Sequence, residues 1–311
     1  MTGFIRTSCI DARVLTSPIH GLTNASGRQR HFAVIHVQQQ SSSQPPNKSR
    51  NCNGATPMQM YKKFLLVAAA TLALTTSAFA VEKMKFGVEG AYPPFNGKDA
   101  SGQAVGFDVE IGHALCAKMK VECEVVTTEW EGIIPALNDN KFDFLISSMS
   151  ITKERAEQVD FTAPYYSSKL QFVAPKGSEL KTDKDSIRDS LLGKTIGAQA
   201  STLSASWLQE NLGMDITLKL YDTQESAFTD LAEGHVDAVL ADKYASYEWL
   251  KGQPGSSFEF KGDPVLDNDK IGIAVRLNDP LRARLNLAIK EIIEDGTYKK
   301  INDKYFPFSI L

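Results

Sequence analysis

The chain has 311 residues, with 34 Lys and Arg against 37 Asp and Glu and a formal net charge of −3. With 23% charged and 42% hydrophobic residues it reads as an ordinary soluble protein, and the charge balance excludes a bias toward nucleic acid. Its four cysteines and five histidines include no cluster with metal-ligand spacing, so neither a metal nor a cofactor is expected.

Composition changes along the chain. Residues 1–57 are poor in periodic hydrophobics and contain Gln38-Gln39-Gln40-Ser41-Ser42-Ser43-Gln44-Pro45-Pro46, so a disordered extension is expected there. Lys62 and Lys63 then precede an apolar run that ends at Ala78-Phe79-Ala80. These are the n-region, h-region and small-residue cleavage site of a secretory signal peptide over 58–80. Targeting reads an emerging N-terminus, so translation is expected to start at Met58 or Met60, with 1–57 an artefact of start-site choice. The exported chain would begin at Val81 and keep Cys116 and Cys123. In an oxidising compartment this isolated pair reads as one disulfide, with two buried thiols as the alternative. A bridge over so short a loop stabilises by about 2 kcal/mol. His113 and His235 stand alone in the sequence.

From residue 81 onward short strands alternate with helical segments. Strands are expected at 85–88 and 122–126, with a helix opening at Phe107 and another at 133–137. A strand at 142–146 leads, after a middle connection, to strands at 195–198, 216–220 and 236–240, with helices at 203–212 and 224–233 between them. A strand at 272–275 and a helix at 280–295 close the chain. This alternation predicts open α/β sheets with crossover helices.

Two internal echoes suggest two lobes built alike. Shifting Trp130–Ser148 by 94 positions lands it on Gln224–Asp242, with Asp143 on Asp237 and Ser148 on Asp242. Phe86-Gly87-Val88-Glu89 likewise resembles Ile196-Gly197-Ala198-Gln199. In such sheets ligands bind beyond the strands' carboxyl ends. The strand Phe142-Asp143-Phe144-Leu145-Ile146 runs into Ser147-Ser148-Met149-Ser150, and Arg155 follows. Hydroxyls, backbone N–H groups and a guanidinium together suit a carboxylate. The alternative is a capped helix with a surface arginine.

Several stretches together resemble the periplasmic solute-binding proteins of polar amino-acid ABC importers, family 3. They are Gly87 to Phe95, Gly106 to Ile111, Trp130 to Leu137, Phe142-Asp143, Ser147 to Arg155, Asp160-Phe161-Thr162, Asp295 to Tyr298 and Lys304-Tyr305-Phe306. The match covers 84–308 in order, and is most like the lysine/arginine/ornithine and histidine binders, which share a cysteine pair spaced like Cys116 and Cys123. The resemblance implies a type II periplasmic binding protein fold, two open α/β sheets joined by two crossover strands. Lobe 1 would be 81–171 with 273–311, and lobe 2 would be 172–272.

It further implies a monomer without enzymatic activity that closes on one amino acid in the periplasm and docks on a membrane permease. Arg155 would hold the α-carboxylate, with Ser150 and Thr202 donating to it. Asp242 would take the α-ammonium with help from Ser148, and Ser147 lies in the same loop. Tyr92 and Trp130 would sandwich the side chain, and Glu89 would face a distal cation. Alanine at 198, leucine at 203 and a short Asp267-Asn268-Asp269-Lys270 segment depart from the nearest relatives and bear on which amino acid is bound. The competing readings are a cyclohexadienyl (prephenate/arogenate) dehydratase on the same fold, and a binder of glutamine or an opine.

Overall fold

The structure, a computed structural model, describes residues 81–181 and 186–311. The expected extension at 1–57 and leader at 58–80 lie outside the described residues.

In chain order β1 (Lys83–Val88) leads to a hairpin of β2 (Gly97–Lys98) and β3 (Ala104–Val105), then α1 (Phe107–Met119) and β4 (Glu122–Thr127). A 3-10 turn at Trp130–Gly132 and α2 (Ile133–Asn138) precede β5 (Phe144–Leu145), α3 (Lys153–Ala156), β6 (Val159–Phe161) and the long β7 (Tyr166–Pro175). Then follow α4 (Ile187–Leu191), β8 (Thr195–Gln199), α5 (Leu203–Asn211), β9 (Thr217–Tyr221), α6 (Gln224–Ala232), β10 (Ala238–Asp242) and α7 (Lys243–Lys251). The second long strand, β11 (Phe258–Ile271), leads to β12 (Ala274–Arg276), α8 (Leu281–Glu294) and α9 (Thr297–Tyr305).

Two five-stranded sheets result, ordered β4-β1-β5-β12-β6 and β11-β7-β10-β8-β9. In the first, β1 pairs in parallel with β4 and β5. In the second, β8 pairs in parallel with β9 and β10. The antiparallel partners lie to one side, β12 beside β5 and β7 beside β10. Each sheet therefore starts in its middle, goes one way, and returns to the other side. The reversal of strand order opens a crevice at the carboxyl ends of the parallel strands. The internal echo of the sequence coincides with this repeat: α2 and β5 in one sheet correspond to α6 and β10 in the other, and β1 corresponds to β8.

The central strands are buried on both faces, as strands covered by helices must be. In β10 the side chains of Ala238 and Leu240 join one core with Phe172, Ile196 and Leu208, while Val239 and Ala241 join another with Phe228 and Val236. In the first lobe Phe86, Val88 and Phe144 face Phe107, Ile111 and Leu115 of α1, which recur every four residues along one helix face. Leu285, Ile289 and Phe306 enter the same core, so the C-terminal helices return to the first lobe. Gly87 is needed where the strand crosses an aromatic ring: a Cβ there would lie 2.5 Å from Phe142.

β7 and β11 pair antiparallel from Tyr166↔Ile271 to Pro175↔Phe258 and form the two crossings between lobes. Tyr166 and Ile271 are buried in the first-lobe core, whereas Leu170 belongs to the second-lobe core and Leu266 packs on it. The sequence gives neither strand a clear signal. β11 carries Gly262 and Pro264 and its register slips twice, between Lys261 and Leu266 and again before Asp269. Cys116 on α1 and Cys123 on β4 are joined as a disulfide, the first of the two readings open to the sequence. No helix among the described residues is long and apolar enough to cross a membrane.

Candidate functional site

The carboxyl ends of the parallel strands of both sheets meet at one cavity. All nine residues expected to bind ligand line it: Glu89, Tyr92, Trp130, Ser147, Ser148, Ser150, Arg155, Thr202 and Asp242. Leu170, Gln199, Leu203, Ser204, Gln224 and Asp269 line it as well.

The loop after β5 is built on a buried carboxylate. Asp108, in the first turn of α1 and without solvent exposure, accepts from Asn96 Nδ2 (2.8 Å), Ser148 Oγ (2.9 Å) and Tyr165 OH (2.6 Å). Burial pushes its pKa up to about 6, against the pull of these donors. The bond from Ser148 supports a left-handed backbone, φ 49°, at a residue with a Cβ. Ser147 Oγ accepts from the Glu89 backbone N–H at 2.9 Å, tying the loop to the end of β1.

Each hydroxyl expected to serve a ligand has a protein acceptor here. Ser148 donates to Asp108 and Ser147 is within 3.4 Å of Asn96 Oδ1. Ser150 donates to Asp269 Oδ2 at 2.7 Å. Thr202 donates to the Gln199 carbonyl (2.7 Å) and accepts from the Ala205 N–H (3.3 Å) as the N-cap of α5.

Arg155 is the one cation among the described residues lining the cavity. Its Nη1 donates to the Ser150 carbonyl at 2.8 Å and its Nη2 to the Ser201 carbonyl at 2.9 Å. A guanidinium has five N–H donors, so three remain for an anion. The guanidinium carbon lies over the Trp130 ring, 5.2 Å from its centre. Burial lowers the Arg155 pKa to about 10, with Asp269 opposing, so the charge persists at neutral pH.

Asp242 ends β10 and caps α7, its Oδ1 accepting from the N–H groups of Tyr244 (2.7 Å) and Ala245 (3.2 Å). The carboxylate also lines the cavity. Burial raises the Asp242 pKa to about 6. Asp269, on the second crossing strand, was not singled out in the sequence because it sits in an acidic, loop-like segment. It is 5% exposed, and its pKa is raised to about 7 by burial first and by Asp242, with Ser150 and Arg155 opposing. At the end of β1 Glu89 is also buried, with its pKa raised to about 7 by burial and pulled back by Gln199. Gln199 Nε2 donates to Glu89 Oε1 at 2.7 Å. Gln224, the first residue of α6, is 5% exposed and its Nε2 has no partner. Neither glutamine stood out in sequence, although Gln199 is the echo of Glu89.

Tyr92 stacks on Phe95, ring centres 5.9 Å apart, and so presents a supported aromatic wall. Trp130 is buried and its Nε1 donates to the Ser201 carbonyl at 3.2 Å. Away from the cavity, His235 lies beside Asp230 and Glu233 on the surface, but Asp230 already accepts from Lys219 and Tyr221.

Chemically, the cavity offers one guanidinium, three buried carboxyls and two aromatic faces. An anion fits against Arg155, and the acids require cations to be ionised without penalty. The family model of the bacterial extracellular solute-binding proteins, family 3, matches residues 84–308. An L-arginine-binding protein of Pseudomonas aeruginosa is 39% identical over 258 residues, covering 81% of this chain and 98% of that protein. The lysine/arginine/ornithine-binding periplasmic protein of Escherichia coli is 34% identical over 260 residues, covering 80% of this chain and 98% of that one. Among solved structures, an ancestral arginine-binding protein bound to arginine superposes with a TM-score of 0.66 at 34% identity, over 72% of this chain and 98% of that one. The chain is thus a two-lobed α/β protein that belongs to the bacterial extracellular solute-binding proteins, family 3.

Proposed function

We propose that this chain is a periplasmic receptor that closes on one cationic amino acid and delivers it to the membrane permease of an ABC importer, without chemistry of its own. One observation carries the reading: a single guanidinium and three buried carboxyls line one cavity between the sheets. A neutral zwitterion would satisfy Arg155 and one acid only. A ligand with a second cation also satisfies Glu89, and so matches the surplus of negative charge. The relatives' names point the same way.

In this reading Arg155 binds the α-carboxylate with its free N–H groups, and the N-terminus of α5 at Leu203 and Ser204 adds backbone donors. Asp242 binds the α-ammonium. Ser147, Ser148 and Thr202 act chiefly by holding the loops, while Ser150 exchanges Asp269 for the ligand. Tyr92 and Trp130 flank the side chain. The lobes, drawn at 81–171 with 273–311 and at 172–272, hinge about β7 and β11. The protein is exported by the segment at 58–80 and works as a monomer.

A dehydratase acting on a dicarboxylate is disfavoured by the same charges. Arg155 would hold one carboxylate, but Asp242 and Asp269 would repel the other. Titration calorimetry with arginine, lysine, ornithine, histidine, glutamine and prephenate tests the proposal. Micromolar or tighter binding of cationic amino acids alone is expected, whereas binding or turnover of prephenate without amino-acid binding would overturn it.

A further inference from the structure

Gln199 is 2% exposed and its amide is held by two acceptors. Nε2 donates to Glu89 Oε1 at 2.7 Å and to the Asp222 backbone carbonyl at 3.1 Å. Turning the amide over would set its oxygen against two oxygens, so its orientation is fixed. Asp222 follows β9, the strand paired with β8, so the second lobe itself aims the amide. It hands one N–H across the cleft to the first lobe. On the other side, the Glu89 main chain is fixed by Ser147 Oγ. Among the described residues the Glu89 carboxylate has no other side-chain donor than Gln199, and Oε2 remains for a ligand.

Asp269 is coupled to Asp242 and Arg155. Glu89 is governed by burial and by Gln199. Tyr92 is partly buried and feels Asp242, Glu89, Asp269 and Asp108, so it stands between the two ends of the cavity. The position of Gln199 is also the topological twin of Glu89, the two standing at the carboxyl ends of the corresponding parallel strands β8 and β1.

We infer that Gln199 is the positioning residue of the distal subsite: from the second lobe it aims the Glu89 carboxylate, so selection of a cationic side chain is assembled only when the cleft closes. This rests on the reading of the chain as a receptor for cationic amino acids. Removing the donor lets Glu89 keep its proton near neutral pH, and a protonated carboxyl attracts no cation.

The test is calorimetry of arginine binding to the purified protein from about pH 5.5 to about pH 9, using the wild type, Gln199→Met, Glu89→Gln and the double variant. Gln199→Met should weaken arginine about tenfold near pH 7, shift the acid limb of the affinity profile upward, and recover most of the loss by about pH 9. In the Glu89→Gln background the same substitution should change affinity by less than about threefold, because the group it acts through is gone. A loss that is equal at every pH and persists in that background would mean packing alone, and would overturn the inference. So would an unchanged profile in Gln199→Met while the wild type binds arginine. Failure of the folded wild type to bind any cationic amino acid would overturn the functional reading, and this inference with it.

Discussion

Arg155 in the first lobe donates through Nη2 to the Ser201 carbonyl of the second at 2.9 Å, and Trp130 Nε1 reaches the same oxygen at 3.2 Å. Ser201 presents that carbonyl from a left-handed backbone, φ 57°, just before the cap of α5. One lobe-2 oxygen therefore gathers two lobe-1 donors, and the residue assigned to the ligand's carboxylate is also a cross-cleft contact. Ligand binding and closure share a side chain.

Arg155→Lys separates charge from geometry. Lysine keeps the cation but loses the planar fork that serves the Ser150 and Ser201 carbonyls and an anion together. Amino-acid affinity should fall by about 2–3 kcal/mol, on the order of a hundredfold, as calorimetry would register. The thermal midpoint without ligand should move little, because no core side chain is changed.

Asp242 has two duties, and two variants distinguish them. Asp242→Ala removes both the cap of α7 and the acid facing the ligand. It should abolish measurable binding and lower stability by about 1 kcal/mol. Asp242→Asn keeps a capping oxygen for the Tyr244 and Ala245 N–H groups but has no charge. It should fold with near-normal stability in a denaturant melt and still lose binding of every α-amino acid. Micromolar affinity in either variant would remove Asp242 from the site.

Burial raises Glu89 and Asp269 to about 7 and Asp242 to about 6, and this sets a direction for pH dependence. These pKa values exceed those of the unfolded chain. The stability they confer is therefore complete below the unfolded values, about 4, and is lost as pH rises through about 6 to 7. A cationic ligand favours the ionised acids and must expel any protons they hold. Affinity for arginine should rise through the same window and level off near pH 8, and the ligand-induced rise in melting temperature should be larger at pH 8 than at pH 5.5. Calorimetry in buffers of different ionisation enthalpy should show net proton release near pH 6.5; proton uptake there would contradict the assignment.

The sequence made the parallel cores legible because their strands are short apolar runs next to amphipathic helices. It exposed Arg155 and Asp242 because each follows such a strand. The crossings were hidden by their own function: β7 carries three consecutive polar residues, Ser167, Ser168 and Lys169, and β11 bends at Gly262 and Pro264. Asp269 was hidden with them, since its partner Ser150 is 119 residues away. Gln199 and Gln224 escaped because a neutral amide at the end of a strand or the start of a helix carries no local signature. Only the burial of Gln224 and its unpaired Nε2, or the bond from Gln199 to Glu89, marks them.

Asp108 supplies the last prediction, because it supports the site without lining the cavity. Its carboxylate accepts three side-chain bonds, from Asn96, Ser148 and Tyr165, and is wholly buried. Asn96 in turn accepts the Gly90 N–H at 2.9 Å, which links the network to the turn carrying Tyr92. Asp108→Asn places an amide N–H₂ where at least one donor already points, so a buried donor loses its acceptor. Such a loss costs about 1–3 kcal/mol, which a denaturant melt would detect. It should also release Ser148 from its left-handed backbone, so arginine affinity should drop severalfold although the substituted residue does not line the cavity. A variant as stable and as tight as wild type would show that the network is not what holds the loop.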